Sequence, residues 1–177
     1  IIGLNSHLNL FSFDEKIILK NIDKLVNEFD NKSFIKYYKS LETSGLVIKD
    51  NQSKGVLIKG YDLYDKDHYL SNSIINGSSF IKNNNGVILG DALASILGVS
   101  VGDKIKIAIP KTDKTILGNI PRFKTLVING IFDFGLYEYD SNLIFLSAQL
   151  ARDLLLYDKN NYSKIEFFVK NPNKIEE

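Results

Sequence analysis

Apolar and polar residues alternate along this chain in short stretches, and one longer-period stripe interrupts them. Gly3 to Phe13 reads as a strand ending at Asp14, a good helix N-cap. Ile18, Ile22, Leu25, Val26 and Phe29 then follow the i, i+4, i+7, i+8, i+11 spacing of one apolar helix face, which Asp30-Asn31 ends. Ser33 to Ile48 is strand-like, Asp50-Asn51 turns, and Gly55 to Gly60 is a second short strand. Tyr61 to Asn85 is polar and lacks clear periodicity, so it marks a boundary into a second lobe.

Beyond that boundary the pattern becomes β-rich. Val87-Ile88-Leu89 predicts a short strand, and Gly90 to Leu97 a short helix with Gly98 just past its end. Val101-Gly102-Asp103 turns into Lys104 to Ile109, where Lys alternates with Ile or Ala as in a half-buried strand. Pro110 is expected to stop that strand. Pro110 to Pro121 is a hairpin-like excursion, and Arg122 to Phe132 returns as a strand. Leu143 to Leu146 is a strand, Ser147 N-caps a helix to Leu156, and Lys164 to Val169 is the last strand. Asn171-Pro172 has the N-cap and N1 chemistry of a helix start. The expected fold class is α+β with two lobes. The two chain ends, 1–73 and 157–177, form a split strand–helix lobe around an inserted β-rich lobe, 74–156.

Composition narrows the function. Apolar residues make up 44% of the 177, enough for a real core. Basic and acidic residues number 22 and 21, which argues against a nucleic-acid binder. Only Arg122 and Arg152 are Arg, leaving little for bidentate phosphate clamps. The absence of Cys removes disulfides and thiolate chemistry. No apolar run approaches the roughly 18 residues of a membrane span. The Ile1-Ile2-Gly3 start, with no Met anywhere, leads us to expect a fragment or a processed product.

Motifs for catalysis are missing: GxxxxGK[ST], GxGxxG and GxSxG do not occur. His7 and His68 have no spaced carboxylate partners and read as surface or packing residues. Glu138 and Asp140, two apart on an expected strand, are either an acid/base pair or a solvated edge beside Tyr137 and Tyr139. Phe132, Phe134, Tyr137 and Tyr139 are either sheet packing or a binding platform. In the excursion, Ile116, Leu117 and Ile120 are apolar where a loop should be exposed. They either contact a partner or fold back into the core. No active site, metal or cofactor is expected.

Four stretches together resemble the extracytoplasmic domain of lipoprotein-releasing ABC transporter permeases of the LolC/LolE type. They are Ile2-Gly3-Leu4-Asn5-Ser6-His7; Gly86 to Ala94 with Leu97-Gly98-Val99; Val101 to Ile105; and Gly118 to Arg122 running on to Gly130-Ile131-Phe132 and Tyr137 to Asp140. The resemblance implies a periplasmic domain between the first two membrane helices of an inner-membrane permease. Its two-lobe form would be that of the MacB-like domains, with a porter-like lobe built from both ends. It implies a cytoplasmic ATPase subunit, a second permease subunit, a lipoprotein substrate and a periplasmic lipoprotein chaperone as partners. The family's chaperone-holding hook falls on Pro110 to Pro121, with Ile116, Leu117, Gly118 and Ile120 between the prolines. The adjacent pad falls on Lys106, Phe123 and Lys124. A different reading is a force-transmitting domain of a MacB-like efflux or signalling permease.

Overall fold

The computed structural model describes residues 8–11, 17–18, 34–62, 68–79, 85–115 and 118–169. The elements among them are mostly strands: β1 (Leu8–Phe11), β2 (Ile17–Ile18), β3 (Phe34–Lys49), β4 (Gln52–Tyr61), β5 (Ile74–Gly77), β6 (Gly86–Gly90), β7 (Lys104–Thr115), β8 (Gly118–Phe132), β9 (Leu143–Ser147), β10 (Asn161–Tyr162) and β11 (Lys164–Val169). Three short α-helices accompany them, α1 (Asp91–Leu97), α2 (Tyr137–Asn142) and α3 (Ala148–Leu155), with one 3-10 turn at Ser71–Ser73.

The β3–β4 hairpin turns at Asp50, whose φ of 50° is left-handed. Asp tolerates this conformation better than most residues. β4 then pairs in parallel with β9, β9 antiparallel with β6, and β6 in parallel with β8. β7 pairs antiparallel with both β8 and β3. Strands β3, β4, β9, β6, β8 and β7 therefore form a closed ring of six. The register alternates inward and outward side chains around it. Val47, Val56, Ile58, Val87, Ile105, Ile107, Ile109, Leu126, Ile128 and Ile144 share one buried cluster inside. Leu93 and Leu97 of α1 and Leu150 and Leu154 of α3 join that cluster.

Gly45 sits at a close approach of β3 to β7. A Cβ there would lie 2.9 Å from the Ala108 carbonyl oxygen and 2.7 Å from a methyl of Ile58. A strand glycine at such a backbone approach lets neighbouring strands close. β1 and β11 extend the sheet beyond β3, and Leu8 pairs with Phe167, so the first and last strands of the sheet are direct neighbours. No break in the sheet marks the boundary expected between residues 73 and 74, since β3 and β4 pair with β7 and β9 across it.

The expected helix stripe needs one correction. Ile18 lies in β2, whose two β-branched residues pair with Asn161 and Tyr162. Ile22, Leu25, Val26 and Phe29, and the helix start at Asn171-Pro172, lie outside the described residues. Pro110 also does not stop its strand. β7 runs on to Thr115, and the register shifts between Ile109 and Asp113, where a missing N–H is tolerated because no third described strand pairs there. Elsewhere the expected punctuation holds. Gly98 is left-handed after α1, and Ser147 Oγ accepts the Leu150 N–H at 3.2 Å.

The ring predicts opposite outcomes for neighbouring residues. Ile107→Ala should cost about 2–5 kcal/mol, because it opens a cavity in the interior. Lys106→Ala, on the outward face, should stay within about 0.5 kcal/mol. Urea unfolding of both variants checks this, and equal losses would contradict the register.

Candidate functional site

The outer face of the ring is divided. Over β4, β9, β6 and the end of β8 it is covered. Tyr61, Leu70, Ile88, Phe132, Leu143 and Phe145 form a second buried cluster there. Tyr38, Tyr69, Phe134 and Tyr139 pack against it. Three of the four aromatics in the expected platform thus serve packing, while Tyr137 stays exposed. His68 is buried within this cover, against the rings of Tyr38, Tyr61 and Tyr69, and its Nδ1 accepts the Leu70 N–H. His7 lies outside the described residues.

Over β3, β7 and the start of β8 the outer face is open. Leu46 pairs with Ala108 and Ala108 with Phe123, so these three side chains form one row across the strands. The next rows are Ile48–Lys106–Thr125 and Lys104–Val127. Leu46, Phe123 and Val127 are 46%, 57% and 38% exposed. Of the pad residues, Lys106 and Phe123 share this outward face. Lys124 pairs with the core residue Ile107 and therefore sits on the opposite face. A pad built from both lysines on one face is excluded by the two-residue period of the strand. Leu46 comes from a strand that the sequence places far from Phe123, so its membership of this face was not visible from local pattern.

Past Lys106–Ala108 and Val127, β7 and β8 continue as a two-stranded ribbon, paired through Asp113↔Ile120, Lys114↔Asn119 and Thr115↔Gly118. No third described strand joins it there. Pro110 and Pro121, both exposed, lie in its two strands. Ile116 and Leu117 lie outside the described residues, and Gly118 and Ile120 are described only as ribbon backbone.

Glu138 and Asp140 are not on a strand. Both lie in α2, where a separation of two turns side chains away from each other. Asp140 is buried and accepts the N–H groups of Phe134 and Leu136 at 2.9 and 3.0 Å, which fixes the loop before the helix. Burial pushes its carboxyl up, against the pull of those two bonds. Gly90 packs so close to Asp140 that a Cβ would sit 2.1 Å from its carbonyl oxygen.

The polar cluster that sequence reading missed is beneath α2. Glu166 of β11 is 2% exposed. Lys59 Nζ lies 3.0 Å from its Oε1 and Lys164 Nζ 3.6 Å, and Lys164 also reaches Glu42 at 3.3 Å. Tyr61 donates its hydroxyl to Glu166 Oε2, and its oxygen is 3.2 Å from the Tyr69 hydroxyl. Burial opposes the charge of Glu166, but Lys59, Tyr61 and Lys164 outweigh it and hold the carboxyl below its usual range. Burial, with the nearby Glu166 charge, raises both tyrosines. Beside this network opens a cleft of about 500 Å³ lined by Glu42, Leu57, Lys59, Glu138, Tyr139, Asn142, Leu143 and Lys164. Lys59 and Glu166 are 107 positions apart. In the sequence each reads only as the polar partner in an alternating strand.

Among the described residues no group of three or more His, Cys, Asp or Glu is placed to hold a metal. No described helix is long and apolar enough to cross a membrane.

The charge network should make stability depend on acid. The folded-state pKa of Glu166 lies below the unfolded value of about 4.3. Its contribution is therefore present above that pH and is lost as pH falls through the folded pKa. Glu166→Gln should cost about 3 kcal/mol at pH 7, because Lys59 loses its buried counter-ion. The gap between wild type and variant should narrow on acidification, as read by urea unfolding across pH. A gap as wide in acid as at pH 7 would rule out the ionised pair.

No family model matches the chain. It is 38% identical over 73 residues to the lipoprotein-releasing system transmembrane protein LolC of Neisseria meningitidis serogroup B, a match covering 41% of this chain and 18% of that protein. The LolC of Xylella fastidiosa is 32% identical over 72 residues, 41% of this chain and 17% of that protein. The match thus spans under a fifth of these relatives. Among solved structures, the extracellular domain of the noncanonic ABC-type transporter YknZ from Gram-positive bacteria aligns with a TM-score of 0.59 at 12% identity, covering 92% of this chain and 82% of that one. The periplasmic region of MacB from Actinobacillus actinomycetemcomitans aligns with a TM-score of 0.57 at 10% identity, over 98% and 78%. The chain is therefore similar in sequence to LolC-type permeases over part of its length, and across nearly all of it has the fold of the extracytoplasmic domains of MacB- and YknZ-type ABC transporters.

Proposed function

We propose that this chain is the periplasmic domain of an inner-membrane ABC permease that releases lipoproteins. It docks a periplasmic lipoprotein chaperone and couples that event to the membrane helices. The observation that carries this reading is the β7–β8 ribbon, which runs beyond the ring and rises from an open face bearing Leu46, Phe123 and Val127. A ring carrying a two-stranded ribbon that no third described strand joins suits protein contact, since binding elements work best on a packed scaffold. The sequence similarity to LolC supports the choice of cargo. Residues Pro110, Ile116, Leu117, Gly118, Ile120 and Pro121 act as the hook, and Lys106 and Phe123 as the pad, with Lys124 behind it on the ring's inner side. The domain performs no chemistry itself. A separate cytoplasmic subunit hydrolyses ATP, and a second permease subunit completes the membrane part. Localisation is periplasmic.

A second reading is favoured by one observation. The whole-chain likeness is to MacB and YknZ domains, and the LolC match covers only 41% of the chain. On that reading the domain transmits force in an efflux or signalling permease and binds no lipoprotein chaperone.

Calorimetric titration with the purified chaperone separates the two. Leu117→Asp and Phe123→Asp should each weaken binding more than tenfold, about 1.4 kcal/mol. Phe123→Asp should leave the melting temperature unchanged, because that side chain is 57% exposed. Lys106→Glu should slow association, with an effect that fades as salt is added. Absence of any binding by the wild-type chain would favour the force-transmitting reading.

A further inference from the structure

The cleft under α2 is not part of the docking face. It is lined from β3, β4, β9, β11 and α2, on the part of the ring wall where β4 pairs with β9. Its hydrogen-bonding capacity is unbalanced. The two ammonium groups that line it are already engaged: Lys59 with Glu166, and Lys164 with Glu42 and Glu166. The acceptors are not used up. Glu42 engages Lys164 through Oε2, leaving Oε1. Glu138 at the rim has no ion pair among the described residues, and Asn142 uses its amide N–H on the Glu138 carbonyl at 2.8 Å, leaving its amide oxygen. Counting Glu166 behind the wall, three carboxylates (Glu42, Glu138, Glu166) face two ammonium groups (Lys59, Lys164), an excess of one negative charge. Leu57 and Leu143 supply apolar lining, and Tyr139 an aromatic ring.

We propose that this cleft binds a cationic hydrogen-bond donor on a short apolar stem: an alkyl ammonium or guanidinium head, such as a lysine or arginine side chain carries. The head donates to the Glu138 carboxylate, the Asn142 amide oxygen and Glu42 Oε1. The stem lies on Leu57 and Leu143, and Tyr139 offers its ring to the charge. An anion is disfavoured because it would have to displace carboxylates from both lysines and add to the charge excess. The volume of about 500 Å³ falls in the range of small-ligand sites, with room for a side chain or a small free amine.

The test is an NMR titration of the 177-residue chain at pH 7. The probes are n-butylammonium, n-butylguanidinium, blocked N-acetyl-lysine methylamide and butyrate. Both simple cations should produce saturable shifts centred on Tyr139, Asn142 and Leu143, and butyrate none. Binding of the blocked lysine with equal or greater affinity assigns the site to a peptide side chain. Its exclusion while butylammonium binds assigns it to a free amine. Glu138→Gln, a change at an exposed position, should weaken the cations at least fivefold with no change in melting temperature. Asn142→Asp should strengthen them. Butyrate binding as well as the cations, shifts centred elsewhere, or Glu138→Gln and Asn142→Asp both leaving affinity unchanged would overturn the proposal. None of these outcomes depends on chaperone binding, so the proposal and the docking reading fail separately.

Discussion

Three cross-strand pairs, Leu46↔Ala108, Val47↔Ile107 and Ile48↔Lys106, turn an open sheet into a ring. An open sheet leaves unpaired N–H and C=O groups along its edges, and a ring removes them over its closed length. Closure also decides what is inside. The strands alternate side chains, so joining β7 to β3 brings Val47 and Ile107 together on a wall that faces β6 and β9 across one apolar interior. Gly45 is the geometric condition for this joint, since a side chain there would meet the Ala108 carbonyl. The same joint sets the limit of the ring. β7 pairs β3 at 106–108, so beyond Ala108 the strand has one partner among the described strands, and the ribbon follows.

Closure leaves the outer wall to be dealt with locally, and the two solutions differ. Over β4 and β9 the chain covers the wall with aromatic side chains and α2, and this cover buries Glu166. Burying a lone carboxylate is costly, and here two lysines and a tyrosine hydroxyl offset it. Such a network adds little net stability compared with an apolar replacement. What it adds is direction, since each partner must sit at a fixed distance to be satisfied. It ties β11 to β4 and so holds the strand made by the chain's later part against the middle of the sheet. Over β7 and the start of β8 no described element covers the wall, and Leu46, Phe123 and Val127 are exposed.

Much of the strand order was legible, because it depends on local period and punctuation. Lys104 to Ile109 alternates by side chain and forms an alternating strand, and Ser147 caps the helix its position announces. What failed was non-local or conflicted with a partner. Glu138 and Asp140 look like strand neighbours by spacing, but the Phe134 and Leu136 N–H groups recruit Asp140 to start a helix. Pro110 looks like a stop, but on a two-stranded ribbon its missing donor costs no ladder bond to a third strand. The placement of Lys106 and Lys124 on opposite faces follows from counting residues, yet needs the pairing of β7 with β8 to be known. Glu166 is the extreme case. Nothing near it in sequence distinguishes a buried ion-pair anchor from an ordinary surface glutamate, because Lys59 and Tyr61 come from a strand over a hundred residues earlier.

These separations bear on how a domain of this kind could transmit a signal. The open face and the covered face meet along β3, which contributes Leu46 to one and Glu42 to the other, four residues apart on its outward side. Under the proposed coupling role, a load on the ribbon would pass through the β7–β3 joint at residues 46–48 into β3. From there it reaches β11 through backbone pairs at 34–40, and through the Glu42–Lys164 pair. β11 also pairs with β1, so the path from ribbon to the first strand of the sheet crosses only hydrogen-bonded neighbours. A close-packed ring deforms little under load. The physical requirement is a stiff joint at Gly45, and its absent side chain is what lets β3 and β7 approach closely enough to provide it.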